Sequence, residues 1–227
     1  IAVSFLWRAQ LQLSSGPAGA GPFNNIPMSL LIRNARILTL GHGTRPRRGK
    51  ELADLGIIPA GEVLVTDGKI AAVGAKVDAP ADAEIIDALG RVLMPGFVDC
   101  HTHACWAGDR LDEWEMKLRG VPYLDILKHG GGIHSTVKAV REATQKQLAA
   151  SLRDRLGAML REGTTTVEVK SGYGLNTEAE MKMLRAIRRA AAEWPGTVVA
   201  TALLGHAFEG DLDEYARMVV KDMLPEV

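Results

Sequence analysis

Cysteine is scarce in this chain: Cys100 and Cys105 are the two in 227 residues. Five residues apart in one stretch, they cannot build a disulfide framework, and so few thiols fit a reducing, cytoplasmic compartment. An excess of charge of one sign is lacking too. Lys plus Arg and Asp plus Glu number 27 each, so no nucleic-acid partner is expected, and the basic run Arg45, Arg47, Arg48 and Lys50 reads as a solvated loop. Long apolar runs are missing as well. The stretch from Ile1 to Trp7 is far too short to cross a bilayer, so no membrane partner is expected. What the chain does have is 47% hydrophobic residues, only 5% of the total being aromatic, which is ample material for an aliphatic core.

Residues 1–27 read differently from the rest. Ser14 to Pro27 is rich in Gly, Pro, Ser and Ala, and the segment is expected to be a disordered leader or an artefact. No basic segment precedes its apolar start, which argues against a secretory signal, while Arg8 and the absence of acids leave a transit peptide open. Met28 stands just before the first strong strand pattern, so the natural start is expected there.

Residues 28–94 alternate short apolar runs with turns. Strands are expected over residues 31–38, 62–66 and 69–74, with Asp67-Gly68 as a type I′ hairpin turn because both central positions need positive φ. A further pair, around Ile85-Ile86 and Arg91-Val92-Leu93, folds at Leu89-Gly90. The expectation is a small antiparallel β-sandwich module, the N-terminal part of a composite sandwich.

From residue 95 to 227 the period changes, and β-rich runs alternate with amphipathic helices, the signature of βαβ units. Thr144-x-x-Gln147 is a capping box, Leu148, Leu152, Leu156 and Leu160 form a stripe, and Gly163 follows as C-cap. Thr177-x-x-Glu180 reads as a second capping box before the stripe Met181, Leu184, Ile187 and Ala191. A third helix is expected from about Asp211 to Leu224. Strands lie at residues 97–103, 164–170 and 198–204. The fold class is therefore α/β, about the first three βα units of a TIM-like (β/α)8 barrel. A closed barrel takes roughly 250 residues, so a truncated one is expected.

The chemistry sits at the strand ends. In Pro95-Gly96-Phe97-Val98-Asp99-Cys100-His101-Thr102-His103, Phe97 and Val98 are expected to bury a strand from which His101 and His103 project to one side, able to grip one metal ion. Arg110 is a fork for a carboxylate or a surface arginine beside Asp109, Asp112 or Glu113. Tyr173, between two glycines, contacts a ligand or covers core. His206 is a third ligand, a substrate hydrogen-bonding group or a capped histidine. Glu168 and Lys170 share a strand face and either pair with each other or make Lys170 a carboxylated metal ligand. Cys105 is a buried thiol or a soft ligand. Gly130-Gly131-Gly132 with Ser135-Thr136 lacks the ending of a P-loop and reads as a flexible loop over the site.

These residues resemble the first barrel strand of the amidohydrolase superfamily. Within it the likeness is to the imidazolonepropionase family, carried by residues 101–110, by Gly130-Gly131-Gly132-Ile133, by residues 162–175 and by residues 204–207. Leu204-Gly205-His206 departs from the family pattern by shifting a glycine one place. The resemblance implies hydrolysis of 4-imidazolone-5-propanoate to N-formimidoyl-glutamate in histidine breakdown. It implies His101 and His103 as ligands of one zinc or iron ion, and Arg110, Tyr173 and His206 as substrate contacts. It also places the remaining ligands and the catalytic glutamate beyond Val227, so this chain by itself is expected to bind zinc weakly and to be inactive. Another cyclic amidase or deaminase, or a non-catalytic remnant of the fold, stays as an alternative, and a homodimer is left open.

Overall fold

The computed structural model describes residues 29–41, 45–128 and 130–227, so the expected leader lies outside the described residues. The chain divides into two compact units, Ile1–Phe97 and Val98–Val227.

The first unit is built on β1 (Ser29–Leu38), β2 (Ile57–Thr66), β3 (Lys69–Gly74), β4 (Glu84–Asp87) and β5 (Val92–Leu93). The hairpin between β2 and β3 turns at Asp67 and Gly68, both with positive φ (51° and 73°), as the Asp-Gly pair predicts. In β1 the inward residues change phase, from Leu30 and Ile32 to Ala35 and Ile37. A register shift between Ile32 and Ala35, with Asn34 at φ 55°, inserts the extra residue that keeps all four on the core face.

That bulge also corrects the expected antiparallel pair. Leu89 and Gly90 do form a left-handed turn (φ 54° and 74°), but β4 and β5 do not pair with each other; both run parallel to β1. The chain leaves β1 opposite Asn34 and rejoins it, held by Ala88 N–H to the Arg33 carbonyl (2.8 Å), Gly90 N–H to Asn34 (2.7 Å) and Arg36 N–H to Arg91 (3.0 Å). Among the described residues the unit is thus one mixed five-stranded sheet, ordered β3-β2-β1-β4 with β5 also on β1, in place of the wholly antiparallel pairing expected. Its core comprises Leu30, Ile32, Ala35, Ile37, Val63, Val65, Ala88 and Leu93.

The second unit carries the sheet β6-β7-β8, with β6 at Phe97–Asp99, β7 at Thr164–Lys170 and β8 at Thr197–Thr201. β7 and β8 are parallel. Around them lie α1 (Leu111–Leu118), α2 (Tyr123–Lys128), α3 (Ile133–Glu142), α4 (Gln145–Arg161), α5 (Thr177–Glu193) and α6 (Leu212–Met218), the last running on through a π turn to Met223 and a 3-10 turn to Glu226. Helix α4 matches expectation: Thr144 and Gln147 cap each other reciprocally, its four leucines are buried, and Gly163 takes φ 98° after its end.

Several expectations change here. The cap of α5 is Asn176, whose Oδ1 accepts from Ala179 N–H at 2.8 Å, so Thr177 is the first helical residue and Glu180 is released for another partner. Phe97 and Val98 are 53% and 67% exposed, because β6 is a three-residue edge strand. β8 stops at Thr201, short of the expected Leu204: Ser171 takes over, its N–H donating to Thr201 O and its Oγ accepting from Leu203 N–H. Ser135 and Thr136 lie in the first turn of α3, and the glycine run is pinned, with Gly132 N–H donating to Glu113 Oε1 at 2.9 Å and Gly131 N–H to Ile126 O at 3.0 Å. In the last helix Leu212 is exposed, whereas Tyr215 and Met223 are buried with Val137, Leu175, Met181 and Leu204. Among the described residues no helix is long and apolar enough to cross a membrane.

Tyr215 gives this core a measurable alkaline limit. Its hydroxyl donates to the Leu204 carbonyl at 2.8 Å, and burial, aided by Glu180 and Glu209, pushes its phenol from 10.0 up to about 12. The unfolded chain ionises this tyrosine first, so the stability it contributes is complete below pH 10 and falls as pH rises toward 12. Tyr215→Phe should remove that alkaline dependence and cost about 0.5–1.5 kcal/mol at neutral pH, read by denaturant unfolding across pH.

Candidate active site

Beyond Asp99 the chain continues without a regular ladder through residue 107, and Thr102 fixes its direction. Its N–H donates to Glu168 Oε2 (3.2 Å), its hydroxyl donates to the Glu168 carbonyl (2.6 Å), and its own carbonyl accepts from Lys170 N–H (3.2 Å). With Thr102 committed to β7, its neighbours His101 and His103 project to the other side. Their ring centres are 5.6 Å apart at 65°. A metal about 2.1 Å from one nitrogen of each ring sets the ring centres roughly 5–6 Å apart, so the pair has the spacing of two ligands.

His103 is the hub. Its ring lies 4.7 Å from that of His206 and 5.6 Å from that of Tyr173, and Tyr173 meets His206 edge-on at 5.4 Å and 89°. The ends of three strands therefore bring His101, His103, Tyr173 and His206 together. Burial, then His206, His101 and Lys170, hold His103 below the ordinary histidine value, with Glu168 opposing. The neutral imidazole that results is the ligating form, and its buried Nδ1 has no hydrogen-bond partner. The donor chemistry thus fits a cation. Among the described residues no three His, Cys, Asp or Glu side chains form a metal-sized group.

Arg110 caps one side. Its Nε and Nη2 both reach Glu113 Oε2, at 2.8 and 2.6 Å, and it also hydrogen-bonds Tyr123. The carboxylate partner is one of the three named from the sequence, yet about a third of the arginine side chain stays exposed. Its charge is felt by Tyr173, whose phenol is nevertheless raised by burial and stays a donor at neutral pH. Glu168 and Lys170 form an ion pair, so Lys170 adds little net charge next to His103. Burial would raise the Glu168 carboxyl, but Lys170, Thr201 and the Thr102 N–H together draw it below the ordinary value. Cys105 is fully buried, its thiol pushed up to about 12 by burial, which suits packing and not metal binding.

Three further side chains hold these loops, and none was singled out from the sequence for that role. Arg155 of α4 lies over the Trp106 ring, 3.6 Å from its centre, and donates to the carbonyls of Ala104 and Trp106, both at 2.9 Å. Glu113 of α1 joins Arg110 to Gly132. Glu180 of α5, fully buried, accepts three backbone N–H groups, from Gly172 (2.9 Å), Gly174 (2.7 Å) and Leu175 (3.0 Å). The available signal was a charged residue inside an apolar stripe: Arg155 beside Leu156, Glu180 beside Met181. Glu180→Ala should cost roughly 3 kcal/mol in urea unfolding, because three buried donors lose their acceptor at once, whereas exposed Glu178→Ala in the same turn should stay within about 0.5 kcal/mol.

The amidohydrolase family profile matches residues 92–220. The chain is 43% identical over 211 residues to the imidazolonepropionase of Geobacillus kaustophilus, covering 87% of this chain and 50% of that protein. It is 53% identical over 173 residues to that of Halobacterium salinarum, covering 73% and 42%. The chain thus spans about half the length of the curated relatives it matches. Among solved structures, the fold is similar to 5-methylcytosine deaminase from Klebsiella pneumoniae, liganded with 5-fluorocytosine, with a TM-score of 0.52 at 21% identity over 86% of this chain and 42% of the other. A triazine hydrolase likewise scores 0.52 at 19% identity, over 78% of this chain and 36% of its own. These matches and the site geometry agree: the chain belongs to the amidohydrolase family.

Proposed function

We propose that the protein carrying this chain is a cytoplasmic imidazolonepropionase, hydrolysing the ring of 4-imidazolone-5-propanoate, and that the sheet β6-β7-β8 is the first part of its (β/α)8 barrel. The observation that carries this reading is the cluster of His101, His103, Tyr173 and His206 with Arg110 at its side. The identity to curated imidazolonepropionases supports the substrate, while the likeness to the deaminase supports the fold alone.

His101 and His103 are the residues that would hold a zinc or iron ion. Bound there, such an ion supplies Lewis acidity, polarising the scissile carbonyl and acidifying a water near neutral pH. Arg110, steadied by Glu113, binds the propanoate carboxylate and so orients the ring. Tyr173 keeps its proton and donates a hydrogen bond to the ring, and His206, packed edge-on against Tyr173, completes the recognition face. Lys170, neutralised by Glu168, leaves Arg110 as the cation that meets the substrate's anionic end.

The test is made on the full-length protein that carries this sequence. Purified enzyme should convert 4-imidazolone-5-propanoate to N-formimidoyl-glutamate, and failure to do so with zinc or iron supplied would sink the reading. Arg110→Ala should weaken substrate binding by roughly 1.5–3 kcal/mol, seen as a raised KM for the carboxylate-bearing substrate and no change for a neutral cyclic amide. Chelation should abolish turnover, and His103→Ala should lower the metal content measured by elemental analysis, since one ligand is gone.

A further inference from the structure

We propose that Arg141 is a positioning residue that clasps the Tyr173 loop and the His206 loop into one wall of the substrate pocket; this rests on the reading of those two rings as substrate contacts. Arg141 lies in the last turn of α3, away from the ring cluster. Its Nε donates to the Gly174 carbonyl at 2.8 Å, in the loop that bears Tyr173, and its Nη2 donates to Glu209 Oε2 at 2.8 Å, in the loop that bears His206. A guanidinium presents donors along two edges in a fixed plane, so one side chain can hold two acceptors from two loops at a set separation.

The loops are already joined at their bases. Ser171 N–H donates to Thr201 O at 2.9 Å and Ser171 Oγ accepts from Leu203 N–H at 3.2 Å. Higher up they touch directly: at Gly172, whose φ is +108°, an added Cβ would lie 2.9 Å from His206 Cβ and 3.0 Å from Leu203 O. Arg141 supplies the link at the far end, past Tyr173 on one loop and past His206 on the other. Its own base is fixed, because Lys182 Nζ of α5 donates to the Arg141 and Ala143 carbonyls, both at 2.8 Å, closing the C-terminus of α3. The Arg141–Glu209 pair is part-exposed, at 33% and 42%, and such pairs contribute little to stability. What the clasp sets is the angle at which two rings meet, 89° at 5.4 Å, and hence how well they fit a ligand.

The experiment compares wild type, Arg141→Ala, Arg141→Lys and Glu209→Gln in the full-length protein, by hydrogen exchange without substrate and by steady-state kinetics. Arg141→Ala should speed exchange about tenfold in peptides covering both 171–176 and 202–210, leave α4 at its wild-type rate, and raise KM by about tenfold with kcat changed less than about threefold. Arg141→Lys, whose single donor nitrogen cannot stand at both guanidinium positions, should restore wild-type exchange only in part. Glu209→Gln should loosen residues 202–210 and leave 171–176 near wild type. Unchanged exchange in either loop of Arg141→Ala, or an increase shared by α4, overturns the clasp. Because exchange is read without turnover, a protein inactive on the imidazolone whose loops loosen together refutes the proposed function and keeps the clasp; normal turnover with independent loops does the reverse.

Discussion

Three strands that stop side by side leave the loops after them with backbone N–H and C=O groups that no strand partner can satisfy, and here those loops carry the half-buried rings of His103 and Tyr173 and the exposed rings of His101 and His206. An unpaired buried amide or carbonyl is unfavourable enough that the arrangement persists only if something answers it. Polar side chains from several of the surrounding helices do so. Arg155 of α4 takes two carbonyls after the histidine pair, Glu180 of α5 takes three amides after β7, Tyr215 of α6 takes a carbonyl after β8, and Glu113 of α1 takes the amide of Gly132. The apolar stripes of α4 and α5 set where those helices lie, and the polar exceptions beside the stripes set where the loops lie.

The charges follow the same economy of placement. Lys170 is answered by Glu168, and Glu168 in turn by the amide of Thr102, so the strand that faces His103 presents little net charge to it. Burial keeps His103 neutral and Tyr173 protonated. Arg110 retains its charge at the side of the cluster, raised further by its hydrogen bond to Glu113. Under the proposed function, a ligand with an uncharged polar ring and an acidic tail would meet matching surroundings at both ends, whereas one without the tail would leave the guanidinium with Glu113 and solvent.

What could be read in advance was whatever a local pattern determines. The Asp67-Gly68 hairpin and the capped, leucine-striped helix after Thr144 depend on neighbours in sequence, and both are as expected. That the rings of His101, His103, Tyr173 and His206 lie near one another follows from a related pattern, since each comes just after a β run. The misreadings have distant causes. β4 and β5 take β1 as their common partner because a bulge at Asn34, some fifty residues earlier, matches the turn at Leu89-Gly90. Thr177 and Glu180 carry the letters of a capping box, yet Asn176 stands one place earlier and the glutamate is needed by a loop it touches only in three dimensions. Helices α1 to α3 are short and broken by glycines, and exposed Leu111, Trp114 and Leu118 gave α1 no inward stripe to recognise.

Gly172 carries a consequence for how such a pocket can change over time. Its left-handed backbone and its contact with His206 leave no room for any larger residue, so the spine of this wall is closed to drift. Change at this place is left to the side chains at 173 and 206, which can be exchanged while the backbone beneath them is retained.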